Sequence, residues 1–294
     1  MRQSLSYHIT KAIIKLKGIK KTFSQDPIDF KKLRKEDVYA PKGRFFIQHT
    51  ANFSIEKTQI TEVTTNSVKS KLVIFIHGGA FVSGPAKHHW DSIKTIVNKT
   101  NCILWMCNYP KAPEHKITEI SKNIDAVYQQ ALQKYEANQI ILIGDSVGGT
   151  LITALTQRLI VQNIELPQKI ILICPVMDAS MQNADIPRVD KIDPMLSKEG
   201  ILSAKKMCVG TESLQHPIIS PLYGSFVGFP NTVICIATHD IMYPDQLLAI
   251  EKMKESKVNV EIINGEYMPH IWPLLPVMKE AKDALQLIIE KIKE

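Results

Sequence analysis

The sequence predicts an α/β protein built on a mostly parallel central sheet flanked by helices. Three observations carry this. Short runs rich in Ile and Val recur along the chain, as strands buried on both faces require. Stretches of helical length and periodicity separate most of them. Two of the runs end in glycine-rich turns, HGGA and GDSVGG, and the second leads straight into a helix.

The elements follow in order. Residues 8–20 place Ile9, Ile13 and Leu16 on one helical face, and a second short helix is expected near Ile28–Glu36. Pro41 and Gly43 interrupt, and strands begin near residue 53. They are expected at Ile55–Val63, Leu72–Ile76, Cys102–Met106, Ile140–Ile143, Ile170–Ile173, Thr232–Ala237 and Val258–Ile263. Helices are expected at His88–Lys99, Glu114–Tyr135, Val147–Gln162, Asp245–Ser256 and Val277–Lys293. Between Ile173 and Thr232 no clear strand occurs, only Pro-punctuated segments and one helix near Ser197–Met207. A long excursion from the C-terminal end of a strand lies where α/β proteins place their ligands.

Composition narrows the classes. The 294 residues, 45% of them hydrophobic, suffice for one large core. No apolar run reaches the roughly 18 residues of a membrane span. Lys11, Lys15, Lys17, Lys20 and Lys21 break up any secretory h-region at the N-terminus. The five cysteines, at 102, 107, 174, 208 and 235, show no CxxC or Cys/His spacing. They are read as buried free thiols of a cytoplasmic protein, with no metal site. The net charge of +7 resides in residues 1–50, which hold 12 Lys+Arg against 4 Asp+Glu. The other 244 residues hold 24 against 25. No nucleic-acid-binding module is recognisable, so nucleic acid is excluded as a partner.

The chemistry-bearing residues begin at IILIGDSVGG. Gly144-Asp145-Ser146-Val147-Gly148 is G-x-S-x-G between a buried strand and a helix, the setting of a nucleophilic serine on a sharp turn. The flanking glycines stay small because a side chain there would meet neighbouring backbone. A serine needs a base, and the base an orienting acid. Downstream of Ser146 stand only His216, His239 and His270. His216 precedes Pro217 with no strand to place it, and His239 adjoins Asp240 too closely to be oriented by it. His270 lies in the loop between the last expected strand and the last helix. Asp240 follows a strand end directly and is the favoured acid. Asp178, one strand earlier, is the runner-up, and Asp245 is read as a first-turn helix residue. An oxyanion needs backbone N–H donors. Val147 and the loop His77-Gly78-Gly79-Ala80 are the expected sources.

With those residues in view, the chain resembles the hormone-sensitive-lipase-like family of α/β-hydrolases, on its bacterial carboxylesterase side. The resemblance runs from about residue 55 to the C-terminus. It rests on HGGAFVSG, GDSVGG, CPVMDAS with DPMLS, ISPLYG, ATHDIMYPDQ and MPHIWPLLP. It implies an α/β-hydrolase fold with a helical cap: residues 1–50 as a cap segment, 51–294 as the catalytic domain, and about 174–225 as a contributor to the cap or rim. It implies hydrolysis of carboxylic esters, mostly short-chain, with no metal or organic cofactor. By position, Ser146 is the nucleophile, Asp240 the acid and His270 the base. Gly79 and Ala80 join Val147 in the oxyanion hole, with Ala80 standing where many members have a third glycine. His77 braces the loop, and Gly78, Gly144, Asp145 and Gly148 support the two motifs.

A small-molecule ester is therefore the expected substrate. A membrane-surface lipase, and an amidase or deacetylase using the same triad, are the alternatives. A ligand-binding protein with dead chemistry is disfavoured because serine, acid and histidine are all present. The basic helix at 8–20 is read as a cap whose apolar face covers the active site, in preference to an interfacial membrane anchor. Homodimers through an edge strand or helix are common in the family.

Overall fold

The computed structural model describes residues 3–67 and 71–294. Its eight strands form one sheet. They are β1 (Thr50–Ile55), β2 (Thr58–Val63), β3 (Leu72–Ile76), β4 (Ile103–Asn108), β5 (Ile140–Asp145), β6 (Lys169–Ile173), β7 (Asn231–Ala237) and β8 (Val260–Gly265). The order across the sheet is β1-β2-β4-β3-β5-β6-β7-β8. β1 and β2 are antiparallel, and β3 to β8 are parallel.

Four helices precede β1: α1 (Leu5–Leu16), α2 (Ile19–Thr22), α3 (Phe30–Leu33) and α4 (Arg44–His49). The crossovers carry α5 (Lys87–Thr100), α6 (Ile117–Leu132) and α7 (Val147–Val161). α8 (Ile186–Asp190) and α9 (Lys198–Val209) occupy the long excursion, and α10 (Tyr243–Glu255) and α11 (Lys279–Lys293) close the chain.

The central strands alternate between two cores, as a period of two demands. Val73, Phe75, Ile141 and Ile143 face Trp90 and Ile93 of α5 and Ile288 of α11. Leu72, Ile74, Ile140 and Leu142 face the larger core with α6, α7 and α10. Burial on both sides explains why these strands read as unbroken apolar runs.

Register sets the site. Ile76 pairs with Gly144, Asp145 with Ile173, Ile173 with Cys235, and Ala237 with Gly265. The C-terminal ends of β3, β5, β6, β7 and β8 therefore stand along one edge. From β3 the chain crosses to β4 on one side, then returns past β3 to β5 on the other. The order reverses there, and open α/β sheets bind ligands at such points.

Three expectations need correction. The single strand Ile55–Val63 is a hairpin of β1 and β2, turning at Glu56 with φ of 49°. No Gly, Asn or Asp marks that turn, so the usual signal was missing. The helix at 8–20 starts at Leu5, capped by the Ser4 hydroxyl accepting from Tyr7 N, and it stops where Gly18 turns left-handed. Its Ile9, Ile13 and Leu16 face is directed to solvent, while Tyr7, Thr10 and Ile14 are buried. The periodicity located an apolar face, but a second, mixed face is the one that meets Tyr267 and α11. The excursion holds two helices rather than one, because α8 is a single short turn around Pro187.

Candidate active site

Ser146 sits between β5 and α7 with φ 52° and ψ −121°, a conformation that L-residues rarely hold. Neighbouring backbone imposes it. Ser146 N donates to Ile173 O on β6 at 2.9 Å, and Ser146 O accepts from Val176 N at 3.1 Å. The glycines leave no alternative: a Cβ on Gly148 would lie 1.9 Å from Ile76 O, and one on Gly144 2.6 Å from Gly148 O. Ser146 is buried but for 8% of its surface.

Two and three strands away, Asp240 follows β7 and His270 follows β8. His270 Nδ1 and Asp240 Oδ2 are 2.8 Å apart, both buried. The carboxylate fixes the tautomer with the proton on Nδ1, leaving Nε2 as the basic atom. Burial opposes charge on the ring, but the adjacent Asp240 outweighs it and raises His270 above the ordinary imidazole value. Asp240 is itself held from behind, by Met242 N at 3.0 Å and Gln246 Nε2 at 3.4 Å. Ser146 Oγ makes no hydrogen bond among the described residues. Such links often tighten only when substrate binds.

The other candidates are used elsewhere. Asp178 accepts from Ser180 N, Ser180 Oγ, Ser220 Oγ and Tyr223 OH, within 2.7 to 3.2 Å. Asp245 lies in the first turn of α10 and meets Asn183 at 2.9 Å. His216 is exposed near Glu212, and His239 packs its ring on Tyr267.

The HGGA loop shows which amides are free. Gly78 N donates to Asp145 Oδ1 at 2.9 Å, so it is engaged. Gly79 N, Ala80 N and Val147 N donate to no acceptor among the described residues. Gly79, Ala80 and Phe81 all have positive φ, 117°, 54° and 66°, which turns the loop back on itself. Val82 N and Ser83 N both close on Gly79 O at 3.0 Å. A Cβ on Gly78 would fall 2.9 Å from Ser146 Cβ, so the loop lies directly beside the serine.

His77 is fully buried. Its ring stacks on Tyr109 at 4.5 Å, Nδ1 meets Gly78 O at 2.5 Å, and its carbonyl accepts from Tyr109 OH at 2.9 Å. Burial holds it well below the usual imidazole value, so it stays neutral and acts as a brace.

Three supporting residues escaped the sequence reading. His89 of α5 places Nε2 3.2 Å from Asp145 Oδ1 while its Nδ1 accepts from Ala86 N at 2.9 Å. Burial works against the Asp145 charge, but His89 and the Gly78 amide outweigh it and hold the carboxyl down at about 2. Asp193 from the excursion accepts from Met195 N at 2.7 Å, Leu196 N at 2.9 Å and Ile241 N at 2.8 Å. It thereby anchors the residue next to Asp240. Burial first, then the Asp240 charge, push Asp193 up. Gln246 is the third. None of these stands in a recognisable spacing with Ser146; Asp193 and Gln246 lie within the DPMLS and ATHDIMYPDQ runs, but nothing in those runs marks them as supports.

Two groups of potential metal ligands occur among the described residues, His88-His89-Asp145 and Cys174-Asp240-His270, each with ligand atoms within 4.8 Å. In each group the carboxylate and one histidine are already hydrogen-bonded as above, whereas His88 Nε2 has no partner among the described residues.

The family described as alpha/beta hydrolase fold matches residues 73–274. The chain belongs to the α/β-hydrolase fold family. Within this family it is 30% identical over 238 residues to an esterase of Acinetobacter venetianus, covering 78% of this chain and 77% of that one. Two solved hydrolase structures share the fold across its length. An esterase/lipase from an uncultured bacterium has a TM-score of 0.88 at 21% identity, covering 99% of this chain and 98% of the other. An esterase of the bacterial hormone-sensitive lipase family has a TM-score of 0.87 at 20% identity, covering 100% and 99%.

Proposed function

We propose that this hydrolase is a serine carboxylesterase that cleaves short- to medium-chain carboxylic esters through an acyl-enzyme. The observation that carries the reading is the strained Ser146 turn lying beside two unpaired amides, Gly79 N and Ala80 N, with Val147 N a third. The name of the Acinetobacter relative, an esterase, supports the same chemistry.

Ser146 Oγ attacks the ester carbonyl while His270 Nε2 takes its proton. Asp240 keeps the ring oriented and stabilises the imidazolium that forms. The carbonyl oxygen becomes an oxyanion, met by the three free amides, which cost no reorganisation because the fold already holds them. Collapse breaks the C–O bond to the alcohol, which leaves with the proton from His270. Water, deprotonated by the same nitrogen, then attacks the acyl-Ser146 ester and releases the acid.

Residues 1–50 and the excursion at about 174–225 form the rim in this reading. Ile28 N donates to Ser203 Oγ of α9 at 3.0 Å, and Arg34 donates to Val82 O and Ala112 O at 2.7 and 2.8 Å. Gly200 lets α9 approach Phe23, since a Cβ there would be 2.0 Å from Phe23 O. The N-terminal segment thus ties the excursion to the HGGA loop.

Ser146→Ala is expected to lower turnover of a nitrophenyl ester by roughly four to six orders of magnitude. A fluorophosphonate should label Ser146, as read by peptide mass. Near-wild-type hydrolysis in the variant, or a label on another serine, would sink the proposal.

A further inference from the structure

The face of α1 that periodicity expected to point inward points out. Leu5, Ile9, Ile13 and Leu16 are 77%, 46%, 41% and 87% exposed. At 100° per residue these four positions fall within about 80° of one another on the helix. The helix is held by its other side. Tyr7 OH donates to Tyr267 O at 3.0 Å, Ser4 Oγ to Glu280 at 2.8 Å, and Lys279 N to Ser6 Oγ at 2.9 Å. The apolar stripe is therefore displayed on a fixed platform.

Charge says what covers it. The first 25 residues contain Arg2 and five lysines and no acidic residue. On the wheel Lys15 and Lys17 flank the stripe on opposite sides, and Lys21 follows in α2. Lys15, Lys17 and Lys21 have no acidic partner among the described residues. A second copy docked symmetrically here would bring two such cationic segments together, and like charges across an interface repel. An apolar stripe between cationic borders matches an anionic lipid surface, where side chains enter the acyl boundary and lysines meet headgroups. Twelve residues give about 18 Å of helix, too short to span a bilayer, so it would lie flat.

We infer that α1 docks this protein on an anionic lipid surface through Leu5, Ile9, Ile13 and Leu16, bordered by Lys15 and Lys17. The placement has a consequence for catalysis. The buried side of the same helix meets Tyr267, three residues before His270. Docking would set the catalytic loop one helix diameter from the lipid, where sparingly soluble esters accumulate.

The test is co-sedimentation of the full chain with phosphatidylcholine vesicles, with and without phosphatidylglycerol. The anionic vesicles should bind at least about tenfold more tightly, and added salt should weaken the binding, because the lysines act electrostatically. Each lysine near the surface contributes a factor of roughly five, so Lys15→Gln with Lys17→Gln should lose about 25-fold. Ile9→Asp with Ile13→Asp should abolish sedimentation while leaving turnover of a water-soluble ester unchanged, which shows that these exposed substitutions leave the fold intact. Equal binding to both vesicle types, or undiminished binding of both double variants, would overturn the inference. So would a concentration-dependent dimer that Ile9→Asp dissociates, since the stripe would then be a contact between copies. The readout is binding without turnover, so its failure is separable from failure of the esterase reading.

Discussion

Gly79→Ala is the sharpest probe of the proposed oxyanion hole. The methyl would stand 2.2 Å from Ser83 O and 2.7 Å from Ser83 C, backbone atoms of the same turn. That is about 1 Å or more short of an ordinary contact, and no flexible side chain is available to yield. The turn must open, and Gly79 N and Ala80 N move with it. Losing one such donor costs roughly 10²–10³ in kcat, or about 3–4 kcal/mol of transition-state stabilisation. Because the oxyanion exists only after attack, kcat and kcat/KM should fall together while KM changes little. Backbone strain must be separated from crowding, since Gly79 has φ 117°. Gly43 provides the control, with φ 110° and nothing within 4 Å of where its Cβ would stand. Gly43→Ala should lower the melting temperature, by strain of about 1–2 kcal/mol, and leave kcat unchanged. The assay is steady-state hydrolysis of a nitrophenyl ester beside thermal unfolding. If Gly79→Ala keeps kcat within tenfold of wild type, or Gly43→Ala loses as much, the amides are not the donors.

Asp240→Asn should reduce kcat by about 10⁴ by spoiling the His270 tautomer, whereas Asp245→Asn should stay within about threefold; the reverse order in steady-state kinetics would show that the acid is misassigned. His270 must be neutral to act, and its pKa is raised, so kcat/KM should fall as pH drops through a value above 6.5. Asp193 also raises His270, so Asp193→Asn should move that acid limb to lower pH; a pH profile with an unmoved limb would refute this. Ala80→Gly should keep acetyl-ester turnover within about threefold, because the N–H survives. Its stability should change by less than about 1 kcal/mol, since relieved left-handed strain opposes the added freedom of the unfolded chain; a tenfold loss of turnover would contradict it.

Much of the architecture was legible locally. Strands buried on both faces betray themselves as apolar runs, and Ile140–Gly149 carried strand, turn and helix in ten residues. The β1–β2 hairpin was not legible, because Glu56-Lys57 lacks the residues that usually mark a tight turn. Sequence order already favoured Asp240 over Asp178 and Asp245 as the acid, because it directly follows a strand end. The structure adds a distance in support, 2.8 Å from Asp240 to His270 Nδ1, across the neighbouring ends of β7 and β8.

By itself, then, the sequence determined the α/β alternation, the Ser146 turn and the candidate partners, since each depends on residues close along the chain. Only the tertiary structure decided which amides are free. Gly78 N is consumed by Asp145, itself held by His89 from another helix, while Gly79 N and Ala80 N are left open. It also decided which side of α1 is buried. A helix with one apolar and one mixed face offers either one to its neighbours, and the choice falls to the partners that Tyr7 and Ser4 find 260 and 276 residues later in the chain.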